Sequence, residues 1–381
     1  MIYLDHNAST PVRPEVAEAM YQALADLGAN PSSSHREGQR VRAAIERART
    51  QVSALVGARP EEVVFVSGGT EGDHLAVVGA AWAQRERGRH VAFAAVEHHA
   101  VHGAAEVLDE LGWTHSELPC DPQGRTSIDA IDALPAGTTV VSVMLANNET
   151  GVIQPVRALA DRAHARGILL HCDAVQGTGK IAVDMATLGV DFLVLSGHKF
   201  GGPKGAGALI VRRGAPLESL FRGSAQERGY RGGTENVTGI VGLGLACELV
   251  SRDLEAEVTA MTAMRDSFEC QLLAAIPDAV IHGREAERLP NTVNVSFVGA
   301  RSDHLLMALD ARGVCCSAGA ACASGGVEPS PVLRAMGVPR EWAISALRFS
   351  FGRGNTSTEL HEAVAHVSDA VQRLRSSGVS V

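Results

Sequence analysis

Lysine is almost missing from this chain. Lys180, Lys199 and Lys204 are its only lysines, and the other 31 of its 34 basic residues are arginine. Long apolar runs are missing too, since none approaches the ~18 residues that a membrane span needs. A basic excess is absent: the formal net charge is −9, which argues against direct nucleic-acid binding as the main activity. Aromatics make up only 4% of residues. The seven cysteines (120, 172, 247, 270, 315, 316, 322) are odd in number and lack framework spacing, so free thiols in a cytoplasm are expected. No metal site is expected either, because Cys315, Cys316 and Cys322 show neither CxxC spacing nor a paired histidine. Asp5 and Arg13 interrupt any apolar leader at the start.

What is present is an ordinary globular composition, 45% hydrophobic and 20% charged over 381 residues, long enough for one large and one smaller domain. Apolar, β-branched runs alternate with helical stripes. Runs at 62–67, 90–96, 138–145, 167–173 and 190–195 read as buried strands, and helical patterns follow most of them. The alternation predicts an α/β fold with a mostly parallel sheet flanked by helices. A long amphipathic helix is expected over 250–275, then a smaller α+β C-terminal domain with strands at 292–298 and 347–351. The expected division is a large domain over 15–250, and a small one formed by 1–14 with 251–381.

The strand ends carry the chemistry. Polar clusters follow the apolar runs at His98, Asn148, Asp173 with Gln176, and Ser196-Gly197-His198-Lys199, where open α/β sheets place their ligands. After the run at 62–67 comes Gly68-Gly69-Thr70 and a helix start, a junction whose free N–H groups and hydroxyl suit a phosphate. It matches neither the Walker A loop nor GxGxxG. Each residue also has an ordinary structural reading: Asp173 as a helix cap, His98 as a loop histidine, Asn148 as a turn residue. Taken together with the scarcity of lysine, an Asp–Lys pair split by a strand–helix–strand unit suits pyridoxal phosphate. There a lysine holds the cofactor and a carboxylate pairs with its pyridine nitrogen. The glycine-rich, small-residue loop around Cys322 has the composition to bring a thiol to such a site.

These residues extend into motifs that run nearly end to end: YLDHNASTP, NPSSSH, VFVSGGTEGDHLAV, VEHHAV, NNETGVIQP, HCDAVQGTGK, SGHKFGGPKGAGAL, RGGTENV, GAACASGGVEPSPVLRAMG and RFSFGR. In this order they resemble the cysteine desulfurases of the NifS/IscS type. Those are fold type I pyridoxal-phosphate enzymes of the class V aminotransferase group.

The resemblance implies conversion of L-cysteine to L-alanine, with the sulfur captured as a persulfide on Cys322. Lys199 would be the Schiff-base lysine, and Asp173 the partner of the pyridine nitrogen. Gln176 would bond the phenolic oxygen, and His98 would stack on the ring and aid proton transfer. The phosphate would be held by the Gly69-Thr70 turn, Ser196 and His198, with Thr234 reaching across from the other subunit of a homodimer. Asn148 and Arg348 would bind the substrate carboxylate. A sulfur-acceptor protein is implied as partner, with iron–sulfur cluster assembly ahead of tRNA or DNA thiolation. Gly72, His74, Cys315 and Cys316 depart from the family pattern, and packing is the expected role of the last two.

Overall fold

The computed structural model describes residues 1–319, 322, 323 and 326–376, with the backbone alone for 322, 323, 326 and 327. Its main sheet has seven strands in the order 63–66, 207–211, 192–196, 169–173, 138–142, 90–94, 114–118. All neighbours are parallel except 207–211, which runs antiparallel to both strands beside it. Two antiparallel steps restore the direction, so Val63–Val66 runs the same way as Phe192–Ser196. The turn Gly68-Gly69-Thr70 therefore lies at the same sheet end as Asp173 and Lys199.

The inner strands are continuous apolar runs because helices cover both faces. Helix Gly69–Ala83 packs so close to the sheet that a Cβ on Gly72 would stand 2.8 Å from Val194 Cγ1. That close approach accounts for glycine at 72. Two strands escape the apolar-run signal. Thr114–Leu118 is an edge strand with one buried residue, and Gly207–Val211 follows directly on a glycine-rich turn.

Helix Val237–Ala275 starts well before the expected 250. Three glycines near its start weaken the helical pattern, and packing explains two of them: a Cβ on Gly244 would meet Ala48 Cα at 2.6 Å, and one on Gly242 would meet Met20 Cγ at 2.7 Å. The helix joins two cores. Ile240, Leu243, Ala246 and Val250 belong to the core of the large sheet. Phe268 and Leu272 belong to another, built on Thr292–Ser296 and Ala346–Ser350 and including Ile2 and Leu4. In that second core, Phe268 meets the rings of Phe349 and Phe351 at 5.1 and 5.2 Å; such a buried phenylalanine contributes roughly 3–5 kcal/mol relative to alanine.

The start of the chain reaches this second unit through strand Ile2–Tyr3, which pairs in parallel with Val314–Cys315. Asp5 bridges to Ser350. Residues 5–8 are thereby laid across the carboxyl ends of the large sheet.

Candidate active site

A cavity of about 340 Å³ opens at those strand ends, and Gly69, Thr70, His98, Asn148, Asp173, Gln176, Ser196, His198, Lys199 and Arg348 all line it. Ten of the twelve expected site residues thus share one cavity. Thr234 does not line it and is exposed on the loop before helix Val237–Ala275. The side chain of Cys322 lies outside the described residues.

The floor is acidic. Asp173 ends strand Leu169–Asp173, and its Oδ1 accepts the N–H of Val175 at 2.9 Å. Burial raises its pKa, opposed by His98, that backbone bond and Lys199. Asp73 and Glu97 are buried beside it, and both are pushed well above the usual carboxylate range, by burial first and by Asp173 next. Among the described residues, Asp73 Oδ1 and Glu97 Oε2 have no hydrogen-bond partner. The nearest ring to Asp73 is His171, with Nε2 at 3.4 Å. Burial depresses the pKa of His171 to about 3, so this ring is neutral and brings no charge.

Lys199 follows strand Phe192–Ser196. Its Nζ donates to the carbonyls of Asn7 at 2.7 Å and Ala8 at 3.0 Å. Burial and then Arg348 lower its pKa to about 8, with Asp173 and Asp5 opposing. A lysine poised there exists partly as the free amine near neutral pH, which nucleophilic attack on a carbonyl requires. His98 caps helix His99–Glu110, its Nδ1 accepting from the N–H of Ala100 at 3.1 Å. With Nδ1 an acceptor, the ring proton is assigned to Nε2. Burial lowers its pKa as well.

Across the cavity, Arg348 is 7% exposed. It donates through Nη2 to Asp5 Oδ1 at 2.7 Å and through Nη1 to the Asn148 carbonyl at 3.0 Å, and its buried Nε has no partner among the described residues. A guanidinium with an unused donor suits a carboxylate. His198 meets Ser9 Oγ at 3.3 Å, and its pKa falls to about 4 through burial and the nearby lysines.

These groups fit pyridoxal phosphate. The floor holds three buried carboxylates, and Asp73 and Glu97 have no lysine or arginine acting on them among the described residues. Burial and Asp173 hold those two toward their neutral forms, which leaves Asp173 as the carboxylate that a pyridinium would pair with. Helix Gly69–Ala83 begins at the cavity, with the unpaired first N–H groups that bind a phosphate.

Among the departures, His74 turns its Nδ1 back to the Thr70 carbonyl at 2.9 Å and does not line the cavity. Cys316 packs against the second core, and burial pushes its thiol up to about 12. Neither the spacing nor the composition of the sequence points to Asp5, Asn7, Asp73 or Glu97 as neighbours of the site. Lys180 carries one signal, the scarcity of lysine.

Comparison with known proteins agrees with this geometry. The family described as Aminotransferase class-V matches residues 2–362. A cysteine desulfurase of Trichormus azollae is 44% identical over 98% of this chain and 94% of its own length. The cysteine desulfurase IscS of Dictyoglomus turgidum is 41% identical over 98% of this chain and 95% of its own. A solved structure described as a NIFS-like protein superposes with a TM-score of 0.91 at 33% identity, over 98% of this chain and 99% of that one.

Proposed function

The chain belongs to the class-V aminotransferase family, and from that premise we propose how its residues work in a cysteine desulfurase that converts L-cysteine to L-alanine. The fold is the fold type I arrangement, and the enzyme uses pyridoxal phosphate. One observation carries the assignment of roles: a single cavity holds the Lys199 amine, the Asp173 carboxylate and the unfilled donor of Arg348.

Bound pyridoxal phosphate supplies the electron sink that lets bonds at the substrate's Cα weaken. Lys199 would hold the cofactor, and its amine would move the substrate's Cα proton. Asp173 keeps the pyridine nitrogen charged. His98 presents Nε2–H to the same space, and Gln176 serves the phenolic oxygen. Thr70, Ser196 and His198 take the phosphate, and Arg348 with Asn148 orients the substrate carboxylate. The thiolate of Cys322 attacks the substrate sulfur: an S–S bond forms, the Cβ–S bond breaks, and the carbon fragment takes a proton to become alanine.

An acceptor protein then collects the persulfide sulfur, with iron–sulfur cluster assembly as the proposed destination. We place the enzyme in the cytoplasm as a homodimer, with Thr234 serving the partner's phosphate. Two features support that reading of Thr234. Thr234 itself is exposed, and its loop is braced by Arg231 on Glu71 at 2.8 Å and by Glu227 on Arg49 at 2.8 Å. Among the described residues no helix is long and apolar enough to cross a membrane. The separation of the two cores along helix Val237–Ala275 supports placing the domain change near residue 250.

The test is to supply the holoenzyme with L-cysteine and a reductant and to count products. Alanine and sulfide in equal amounts are expected. Alanine without sulfide, or pyruvate and ammonia in place of alanine, refutes the assignment.

A further inference from the structure

Lys180 is buried, 4% exposed, and no carboxylate acts on it among the described residues. Its Nζ sits between two amide oxygens instead, Asn7 Oδ1 at 3.0 Å and Gln176 Oε1 at 2.5 Å. Burial first, and then Lys199 and Arg348, push its pKa well down; a buried amine without a counter-ion is costly where an apolar side chain of equal length would fill the space. Packing alone therefore does not account for lysine here.

The bonding pattern shows what the lysine adds. Nζ donates to both amides, so both turn their oxygens toward it and their nitrogens away. Gln176 Nε2 then donates to the Asn7 carbonyl at 2.9 Å, the same oxygen that receives Lys199 Nζ. Asn7 Nδ2 donates to the Asn148 carbonyl at 3.1 Å and to Thr292 Oγ1 at 2.9 Å. The backbone around Lys180 is fixed too. Thr178 and Ile181 donate to the Ala174 and Gly177 carbonyls. Gly179 has φ +80°, and a Cβ there would stand 2.5 Å from Phe200 Cβ. Lys180 itself does not line the cofactor cavity, whereas Gln176 and Asn7 do.

We propose that Lys180 is a positioning residue that locks the Gln176 amide with its N–H side toward the cofactor and ties it through Asn7 to Lys199. The inference rests on the reading of Gln176 as the partner of the cofactor's phenolic oxygen. Without Lys180 the amide can turn over, and an oxygen would then face the phenolic oxygen.

The experiment measures the cofactor dissociation constant and absorbance maximum for Lys180→Met, Lys180→Arg, Gln176→Ala and Lys180→Met/Gln176→Ala, reconstituted from apo-protein. Lys180→Met should weaken cofactor binding about tenfold, the value of roughly one hydrogen bond, and shift the absorbance. Lys180→Arg, which keeps the donors, should restore most of both. In the Gln176→Ala background, Lys180→Met should change binding less than about twofold, because coupled residues are not additive. A full, additive loss in that background overturns the proposal. An unmoved spectrum in Gln176→Ala itself refutes the reading of Gln176 instead. If Lys180→Met fails to fold, Lys180→Gln is compared in the two backgrounds, and additivity there counts against the proposal in the same way.

Discussion

The floor of the cavity and the wall opposite balance their charges in opposite ways. The floor stands on the ends of the parallel strands and concentrates Asp73, Glu97 and Asp173 without a full set of cations. The wall comes from residues 5–8 and from Arg348 on strand Ala346–Ser350. There Arg348 pairs with Asp5 and still keeps a donor without a partner among the described residues. A site with a cation-seeking floor and an anion-seeking wall accommodates a molecule carrying both charges. A protonated pyridine ring with its phosphate, joined to an amino-acid carboxylate, is such a molecule.

The comparison breaks most completely at Lys199. Lys199→Ala should remove the bound-cofactor absorbance and abolish alanine formation; an unchanged spectrum would refute its role. On the floor, Asp173→Asn should lower turnover by about 10²–10³-fold, as for loss of a preorganised electrostatic group. Its unfolding temperature should hold or rise, since a neutral amide relieves the crowding of carboxylates; a large drop would show that the floor is not acid-strained. On the wall, Arg348→Lys should raise KM for cysteine by about tenfold with a smaller change in kcat, consistent with one lost charged hydrogen bond. A pure kcat effect would move Arg348 from binding to chemistry.

Two pH experiments sharpen the same contrast. Capture of added cofactor by apo-protein should accelerate as pH rises through about 8, where Lys199 loses its proton, and level off above. A flat profile would remove Lys199 as the capturing amine. Glu149, at the edge of the site, hydrogen-bonds Ser330 at 2.5 Å, and burial raises its pKa from 4.5 to about 7. The folded state therefore holds this proton where the unfolded chain has released it. Its contribution to stability is present below pH 4.5 and is lost as pH rises to about 7. Glu149→Gln should flatten that decline by on the order of 1 kcal/mol, visible in chemical unfolding at pH 5 and pH 8.

Legibility in the sequence follows the same division. Asp173, Lys199 and His98 could be read because each sits where an apolar run stops and polar residues begin, a local signal. Strand Gly207–Val211 was hidden by the glycine-rich turn before it, and Thr114–Leu118 by the polar pattern of an edge strand. The first turns of helix Val237–Ala275 were hidden by glycines that serve helix packing. The wall was legible only through the motifs of a resemblance. Asn7 meets Lys180 across 173 residues and Arg348 meets Asp5 across 343, and no local pattern encodes such pairings. The buried carboxylates Asp73 and Glu97 lie next to recognisable motifs, but their strain comes from burial, which one sequence does not display.

The claim that this site takes sulfur from cysteine onto the chain is tested most directly by mass. Holoenzyme is given L-cysteine without an acceptor, and the peptide carrying Cys322 is weighed before and after reduction. The wild-type peptide should gain the mass of one sulfur atom that reduction removes, with one alanine released for each. Cys322→Ser should keep the cofactor absorbance and gain no sulfur. Normal sulfide release by Cys322→Ser, or a persulfide found only on another cysteine, would contradict the account.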